Sequence, residues 1–399
     1  MRRVVKVSRI RIIITIIVVV LTTLLTGCTG KEPNEIAYVV ALGIDSTDDD
    51  NYKITIQYAN TTQISGGASE SGGKAGSEIV DNVTIEAPNI YAGVGLANNI
   101  VSKSFSMSHA KLIVFSKEIA EKGVKDMIET LVRSEEIRPD VFIAVANTTA
   151  NDYLTSVNPE MEVNPAQYYQ LIYQKNQLVG IPDGQLREFF TGLYTDNYDS
   201  ILPVAGVIEG AGGNSQNDDK GQSKDGQNEG SEGSSESLDS FESKSSDDKD
   251  ENEKEKDAEK NTSKYEYDIK NYVGGETAIE KKNKAEAIGA AVFEKDKMVG
   301  ELGEVETEIC KMLKGDYTYS YLTYYNNDTP DIPITVKTTQ QKKPKYKIDT
   351  DKKTVDIELY IESDLYSLPA DYNVENKIED FERDVGNYRR SGCREFINN

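Results

Sequence analysis

From His109 to Ala146 the chain reads HAKLIVFSKEIAEKGVKDMIETLVRSEEIRPDVFIAVA. Residues 111–115 are a short apolar run of the kind that fills a buried strand, and Ser116 behind it offers an N-cap hydroxyl. Residues 118–133 then place Ile119, Met127, Ile128, Leu131 and Val132 on one side of a helix, and 141–146 form a second apolar run. Strand, helix and strand in that order predict a sheet layered with helices.

Working outward, residues 36–44 are near-continuously apolar and suit a buried strand, while 52–58 alternate and suit a strand with one wet face. The link between them, with Asp48, Asp49 and Asp50, has turn chemistry and lacks the spacing of a calcium loop. Residues 61–77 form a Ser-, Gly- and Thr-rich loop, 79–85 a strand, and Pro88 opens a helix with Ile90, Val94, Ala97 and Val101 one turn apart. Helices over 165–175 and 184–190 and a strand over 201–208 follow. Residues 209–262 change character: Asp, Glu, Ser, Gly and Lys dominate, and Leu238 and Phe241 are the only large apolar side chains. Such a segment buries too little surface to offset chain entropy, so a disordered acidic linker is expected, with an acidic tract for cations or a basic partner as the functional alternative. Beyond it, 287–293 and 298–302 read as a hairpin around 294–297, and a helix over 304–314 stops at Gly315. Strands are expected over 317–325, 332–338, 345–348 and 354–361, then a last helix capped by Asn373 with Val374, Ile378, Phe381 and Val385 on one side. The whole predicts an α+β protein of two or three domains in which helices pack on mixed β-sheets. Its divisions are a leader over 1–27, an α/β domain over 28–208, the linker, and an α+β region over 263–399.

The leader carries Arg2, Arg3, Lys6, Arg9 and Arg11 ahead of an apolar run from Ile12 to Leu25, then Leu25-Thr26-Gly27-Cys28. A basic start followed by an apolar stretch too short to span a bilayer is a secretory signal. Leu-Thr-Gly-Cys resembles the lipobox of bacterial lipoproteins, which makes Cys28 the expected lipidation site, bearing S-diacylglycerol and an N-acyl group, and the mature N-terminus. Two or three chains there give stable anchoring where one is marginal. The 399 residues include 45 Lys and Arg against 68 Asp and Glu, a formal charge of −23. The one dense basic run lies in the leader, so the mature chain lacks the basic face that a nucleic-acid partner requires.

Chemistry is sparse. His109 is the only histidine, and no GxSxG, HExxH, GxxxxGK[ST] or paired-cysteine pattern occurs. Gly93-Val94-Gly95 is a bare GxG inside a helical pattern. Cys310 and Cys393 read as free thiols, with a bridge between them open to a protein outside the cytoplasm. No catalytic residue, metal ligand or cofactor is assigned, and His109 reads as a structural histidine.

Three stretches carry a resemblance. Asn34-Glu35-Ile36-Ala37, Leu42-Gly43-Ile44-Asp45 and Tyr52-x-Ile54-Thr55-Ile56-Gln57 come first; His109-x-Lys111-Leu112-Ile113-Val114-Phe115-x-Lys117-Glu118, running on to Arg133 and Arg138, comes second; Gly289-x-Ala291-Val292-Phe293-x-x-Asp296-Lys297-Met298-Val299-Gly300-x-Leu302 comes third. Together they resemble the Ger(x)C family, lipoprotein C subunits of spore germinant receptors. The resemblance implies a lipid-anchored ectodomain on the outer face of the cell or spore inner membrane. It also implies a polytopic A subunit and a transporter-like B subunit as partners in nutrient-triggered germination, while the absent catalytic signature is what predicts a non-enzymatic, structural or ligand-sensing role. Two departures stand out: Cys28-Thr29-Gly30 replaces the family's Cys-Trp-Asp, and the chain stops after its final helix, where the family tends to add a strand, so the last domain is expected to lack an element. Arg133 and Arg138 are candidate contacts for acidic partner surfaces, with ordinary helix-end ion pairs as the plainer reading. A solute-binding lipoprotein feeding a transporter and a lipid-anchored hydrolase are the competing functions.

Overall fold

Residues 36–46 are apolar almost throughout because they run through the middle of a sheet that is covered on both faces. This strand, β1 (Ile36–Ser46), pairs antiparallel with β2 (Tyr52–Ala59), which pairs with β3 (Val80–Ala87). On its other side it pairs in parallel with β4 (Ser104–Ser106) and β5 (Leu112–Ser116), and the parallel run continues through β6 (Phe142–Ala146) to β7 (Ser200–Val207). The computed structural model describes residues 11–20, 35–49, 51–59, 80–159, 162, 164–174, 180–208, 271–277, 283–326, 329–367 and 378–398. Cys28, the 61–77 loop, the 209–262 segment, and Asn373 with Val374 lie outside them. Residues 11–20 are helical, and no helix among the described residues is long and apolar enough to cross a membrane.

Sheet pairing runs across the 209–262 segment. β8 (Ala285–Glu294) lies antiparallel on β7, and β9 (Lys297–Leu302) extends the order to β3-β2-β1-β5-β6-β7-β8-β9, with β4 beside β1. The β8–β9 hairpin turns at Lys295 and Asp296, with Lys295 in the left-handed region at φ 57°. One face of the sheet is covered by α1 (Ile90–Ala97), α2 (Lys117–Lys122), α3 (Lys125–Val132) and α6 (Leu186–Tyr194) through Ile90, Ile119, Ile128, Leu131 and Phe189. The other is covered by α4 (Ala150–Ser156) and α5 (Pro165–Tyr173) through Tyr153, Leu154, Tyr169 and Tyr173. The expected α+β class with mixed sheets packed by helices is the class observed.

Several elements differ from expectation for identifiable reasons. The helix expected over 118–133 is two helices, because Gly123 takes φ +122° and a Cβ there would meet Asp296 Oδ2 at 2.7 Å. The amide of Val124 turns aside to donate to Asp296 O at 3.0 Å, so the β8–β9 hairpin interrupts the helix. Helix α4 went unpredicted, although Thr149 caps it by accepting from the Asp152 amide at 3.0 Å. The strands expected over 332–338 and 345–348 are one strand, β11 (Thr329–Asp349), set between β10 (Tyr319–Asn326) and β12 (Thr354–Ser367). Lys-Lys-Pro-Lys at 342–345 hid this continuity. Pro344 is tolerated because the register with β12 slips between Lys342 and Lys345 and β10 pairs only as far as Thr339.

The second sheet is tied on by α7 (Glu304–Lys314) and α8 (Ile378–Asn398). Gly315 ends α7 in the left-handed conformation, φ +76°, as its sequence position anticipates. Glu308 on α7 and Arg389 on α8 are both buried and meet at 2.7 Å. Arg389 Nη2 also donates to Thr338 Oγ1 at 2.8 Å and Ser320 Oγ at 3.1 Å, which brings β11 and β10 into the same network. Tyr317 shares its hydroxyl with Ser320 and Thr338, both at 2.6 Å, and burial beside Glu308 pushes its pKa up to about 12. Removing either ion leaves the other buried and unpaired, the costly way to break such a pair.

Gly43 explains the glycine of Leu-Gly-Ile-Asp: a Cβ there would lie 3.0 Å from Leu154 Cδ1 and 3.1 Å from Ala150 Cβ, so α4 packs directly on β1. Gly43→Val is expected to destabilise by about 1–3 kcal/mol despite valine's preference for strands. Gly300→Val on β9, where no atom lies within 4 Å, is expected to stay within about 0.5 kcal/mol of the parent. Chemical denaturation of the two variants checks the contrast.

Candidate functional site

The polar concavity that joins the two parts of the chain lies between α6, β7 and the C-terminal end of α7. It has a volume of about 300 Å³ and is lined in part by Asp183, Glu188, Tyr198, Lys311, Lys314 and Asp316. Lys311 is 6% exposed, and its Nζ donates to Ile181 O at 3.0 Å, fixing the ammonium at the pocket wall. Burial pulls its pKa down, against the pull of Asp316, Glu308 and Asp183. Burial likewise raises the carboxyl of Asp183 in spite of the Gln185 amide and the charges of Arg187 and Lys311; its buried Oδ1 has no hydrogen-bond partner among the described residues. Lys314 sits over the Tyr198 ring at 5.1 Å. Charges of both signs beside aromatic rings suit a small polar or zwitterionic ligand.

The sequence-singled residues do not converge on this pocket. His109 is exposed; its Nδ1 lies 3.0 Å from Ser108 Oγ and its ring stands edge-on to Tyr38 at 4.8 Å. Arg133 pairs with Glu129 at 2.6 Å and Arg138 lies 4.0 Å from Asp140, each with its side chain well exposed. These are local ion pairs of small energy. Cys310 and Cys393 are free, and burial raises both thiols above their ordinary range. Gly93 is packed inside α1 against Ile54, while Gly95 faces open space, so the GxG is helix packing. The described residues hold no group of three or more His, Cys, Asp or Glu able to bind a metal. Cys28 lies outside the described residues.

Two constellations went unread in the sequence. Asp45, 5% exposed at the end of β1, accepts from the Ala150 amide at 2.6 Å and the Asn151 amide at 3.0 Å, and so caps α4 from a distant strand. The signal was a carboxylate closing an apolar strand. Gln57 is wholly buried and bridges layers: it donates to Leu154 O at 2.8 Å and accepts from Tyr169 OH at 2.5 Å. The motif residues are thus fasteners that clamp β1 and β2 to the helices behind them.

The family described as the spore germination protein N-terminal domain matches residues 30–207, and the family described as spore germination B3/GerAC like, C-terminal, matches 288–399. The chain belongs to the Ger(x)C family of spore germination proteins. It is 26% identical over 174 residues to spore germination protein KC of Bacillus subtilis strain 168, covering 40% of this chain and 42% of that protein. It is 28% identical over 145 residues to the putative spore germination protein YfkR of the same strain, covering 36% and 37%. The alignments therefore span about two fifths of the length of these relatives. A crystal structure of the GerBC protein is similar at 14% identity with a TM-score of 0.42, covering 89% of this chain and 80% of that one.

Asp45 supplies a test of the clamp. Burial outweighs its two amide donors and raises its pKa from 3.8, so the folded state holds the proton more tightly than the unfolded state. Its contribution is then complete below the unfolded value and is lost as pH rises through the folded one. The stability difference between the parent and Asp45→Asn is expected to fall over that window and then to level off. Urea denaturation across acidic pH measures it; a pH-independent difference contradicts the assignment.

Proposed function

We propose that this chain is the lipid-anchored C subunit of a spore germinant receptor, that it is needed for nutrient-triggered germination, and that it acts without catalysing a reaction. The carrying observation is the match of both spore germination domain families, in order, over residues 30–207 and 288–399. Spore germination protein KC, named above, supports the same reading. The lipobox ending at Cys28 supports anchoring by diacylglycerol and an N-acyl chain on the outer face of the inner membrane. A polytopic A subunit and a transporter-like B subunit complete the proposed complex. The division into a 28–208 domain, a 209–262 tether and a 263–399 region belongs to the same proposal, as does the absence of a cofactor. For the non-enzymatic role, the support is the surroundings of His109, the sole histidine: an exposed ring on a serine and a tyrosine, apart from the polar pocket. Against the solute-binding alternative stands the pairing of β7 with β8, which makes one unbroken sheet where that class has two lobes about a cleft.

Spores lacking the gene are expected to lose the optical-density fall and dipicolinate release on exposure to at least one nutrient. Complementation with the Cys28→Ala form is expected to leave the protein out of the membrane fraction and the response impaired. Normal germination of the deletion strain with every nutrient contradicts the proposal.

A further inference from the structure

Beyond Thr339, where its pairing with β10 ends, β11 continues with β12 as a two-stranded hairpin. Its two faces differ in chemistry. On one face Ile348 lies opposite Val355, and Tyr346 opposite Ile357. Ile348 is 68% exposed and Val355 53%, so the apolar face lies open at the tip, while one step back Tyr346 is tied down, its hydroxyl donating to Leu313 O at the end of α7. On the other face Lys345 lies opposite Glu358 and Lys347 opposite Asp356. From 340 to its partner at 361 the hairpin carries Lys342, Lys343, Lys345, Lys347, Lys352 and Lys353, all exposed, against Asp349, Asp351, Asp356 and Glu358. Lys345 reaches Glu358 at 3.6 Å and Lys352 reaches Asp349 at 3.2 Å, while Lys343, Lys347 and Lys353 make no ion pair with a described residue. This is a local excess of positive charge on a chain of net charge −23. The tip is pre-shaped, since Asp349 Oδ1 accepts from the amides of Asp351 at 3.1 Å and Lys352 at 3.0 Å.

We propose that this hairpin tip docks on an anionic lipid surface, with Ile348 and Val355 entering the headgroup layer, Tyr346 held at its boundary, and Lys343, Lys347 and Lys353 engaging acidic headgroups. An element with one apolar face, lysines on its polar face and an aromatic ring at the boundary is suited to lie in a membrane interface. Basic side chains beside an acidic bilayer add electrostatic attraction that acts within a Debye length, so it is the balance on the hairpin itself that counts, and there the lysines outnumber the carboxylates opposite them. A second copy of the chain is a poor occupant of the open edge of β12: antiparallel self-pairing sets the acidic row Asp356, Glu358 and Glu362 against its own copy. The proposal rests on the lipid-anchored reading only for what brings the hairpin near a membrane.

The chain contains no tryptophan, so Ile348→Trp introduces a single emission reporter at the tip. The full chain carrying it is mixed with vesicles of phosphatidylglycerol and phosphatidylcholine, with bromine-labelled acyl chains in a parallel set. Flotation of the protein with the vesicles reports the anchor, and tryptophan emission separately reports the hairpin. The expected result is a blue shift and strong bromine quenching in the anionic vesicles. Both are expected to be lost in pure phosphatidylcholine and in the Lys343→Glu, Lys347→Glu, Lys353→Glu form, whose thermal midpoint matches the parent's. Emission that stays that of a water-exposed indole while the protein floats overturns the proposal and leaves the anchor standing. So does quenching that survives the charge reversal, or a blue shift that grows with protein concentration without vesicles, which identifies a protein partner or self-association instead.

Discussion

The antiparallel pairing of β7 with β8 is the interaction on which the rest of the arrangement depends. It joins Ser200–Val207, the last strand before the acidic insert, to Ala285–Glu294 beyond it. The chain therefore completes its first sheet with residues on the far side of a long excursion. Loop-closure entropy rises only with the logarithm of length, about 0.6 kcal/mol per doubling, so a long insert costs little once both strands have a place in the sheet. Residues 271–277 reinforce the seam by direct backbone contact. A Cβ on Gly206 would fall 1.9 Å from the Gly274 carbonyl carbon, and the Gly274 amide donates to Ile288 O at 3.0 Å. Here the absence of side chains, more than turn geometry, lets the chain close on itself.

From that seam the contacts pass outward in sequence. The β8–β9 hairpin reaches α2 through Lys117 and Glu301 at 3.0 Å, and Asp296 takes the amide of Val124. Helix α7 follows β9 and drives Lys311 back onto Ile181, while Glu308, on the same helix, binds Arg389 and so holds α8 and the second sheet. One helix thus serves both sheets. A buried ion pair is weak evidence for stability, but it is a demanding specifier, because partial satisfaction is costly. The network of Glu308, Arg389, Ser320 and Thr338 acts as such a specifier for the docking of α8.

Much of this was legible in the residues. The apolar runs at 36–44, 111–115 and 141–146 are strands because only a doubly covered sheet buries so many successive side chains. The stops at Gly315 and within 294–297 follow from local backbone chemistry. What failed to show were features that depend on a distant partner. Gly123 sits in a helical pattern, and only the approach of Asp296, more than 170 positions further on, explains why the helix breaks there. Asp45 gives no local sign of capping a helix that begins at Ala150. Arg389 did carry a faint signal, a charge within the apolar spacing of Phe381, Val385 and Tyr388, yet its partner could not be named from the sequence. The polar pocket was unreadable for the same reason, since Asp183 and Lys311 meet only through the fold.

The functional picture has the same layout: the proposed anchor at Cys28, a clamped sheet in the middle, and a segment of acidic composition between its paired strands in the sequence. If the β7–β8 seam holds the parts together, the covalent connection through 209–262 is dispensable once the protein has folded. The direct measurement is limited proteolysis within 209–262, followed by size exclusion and hydrogen exchange under native conditions. The account predicts that the two fragments co-elute as one species and that the amides of β7 and β8 stay protected. Separation of the fragments, or exchange of those amides at the rate of an unpaired edge, contradicts it.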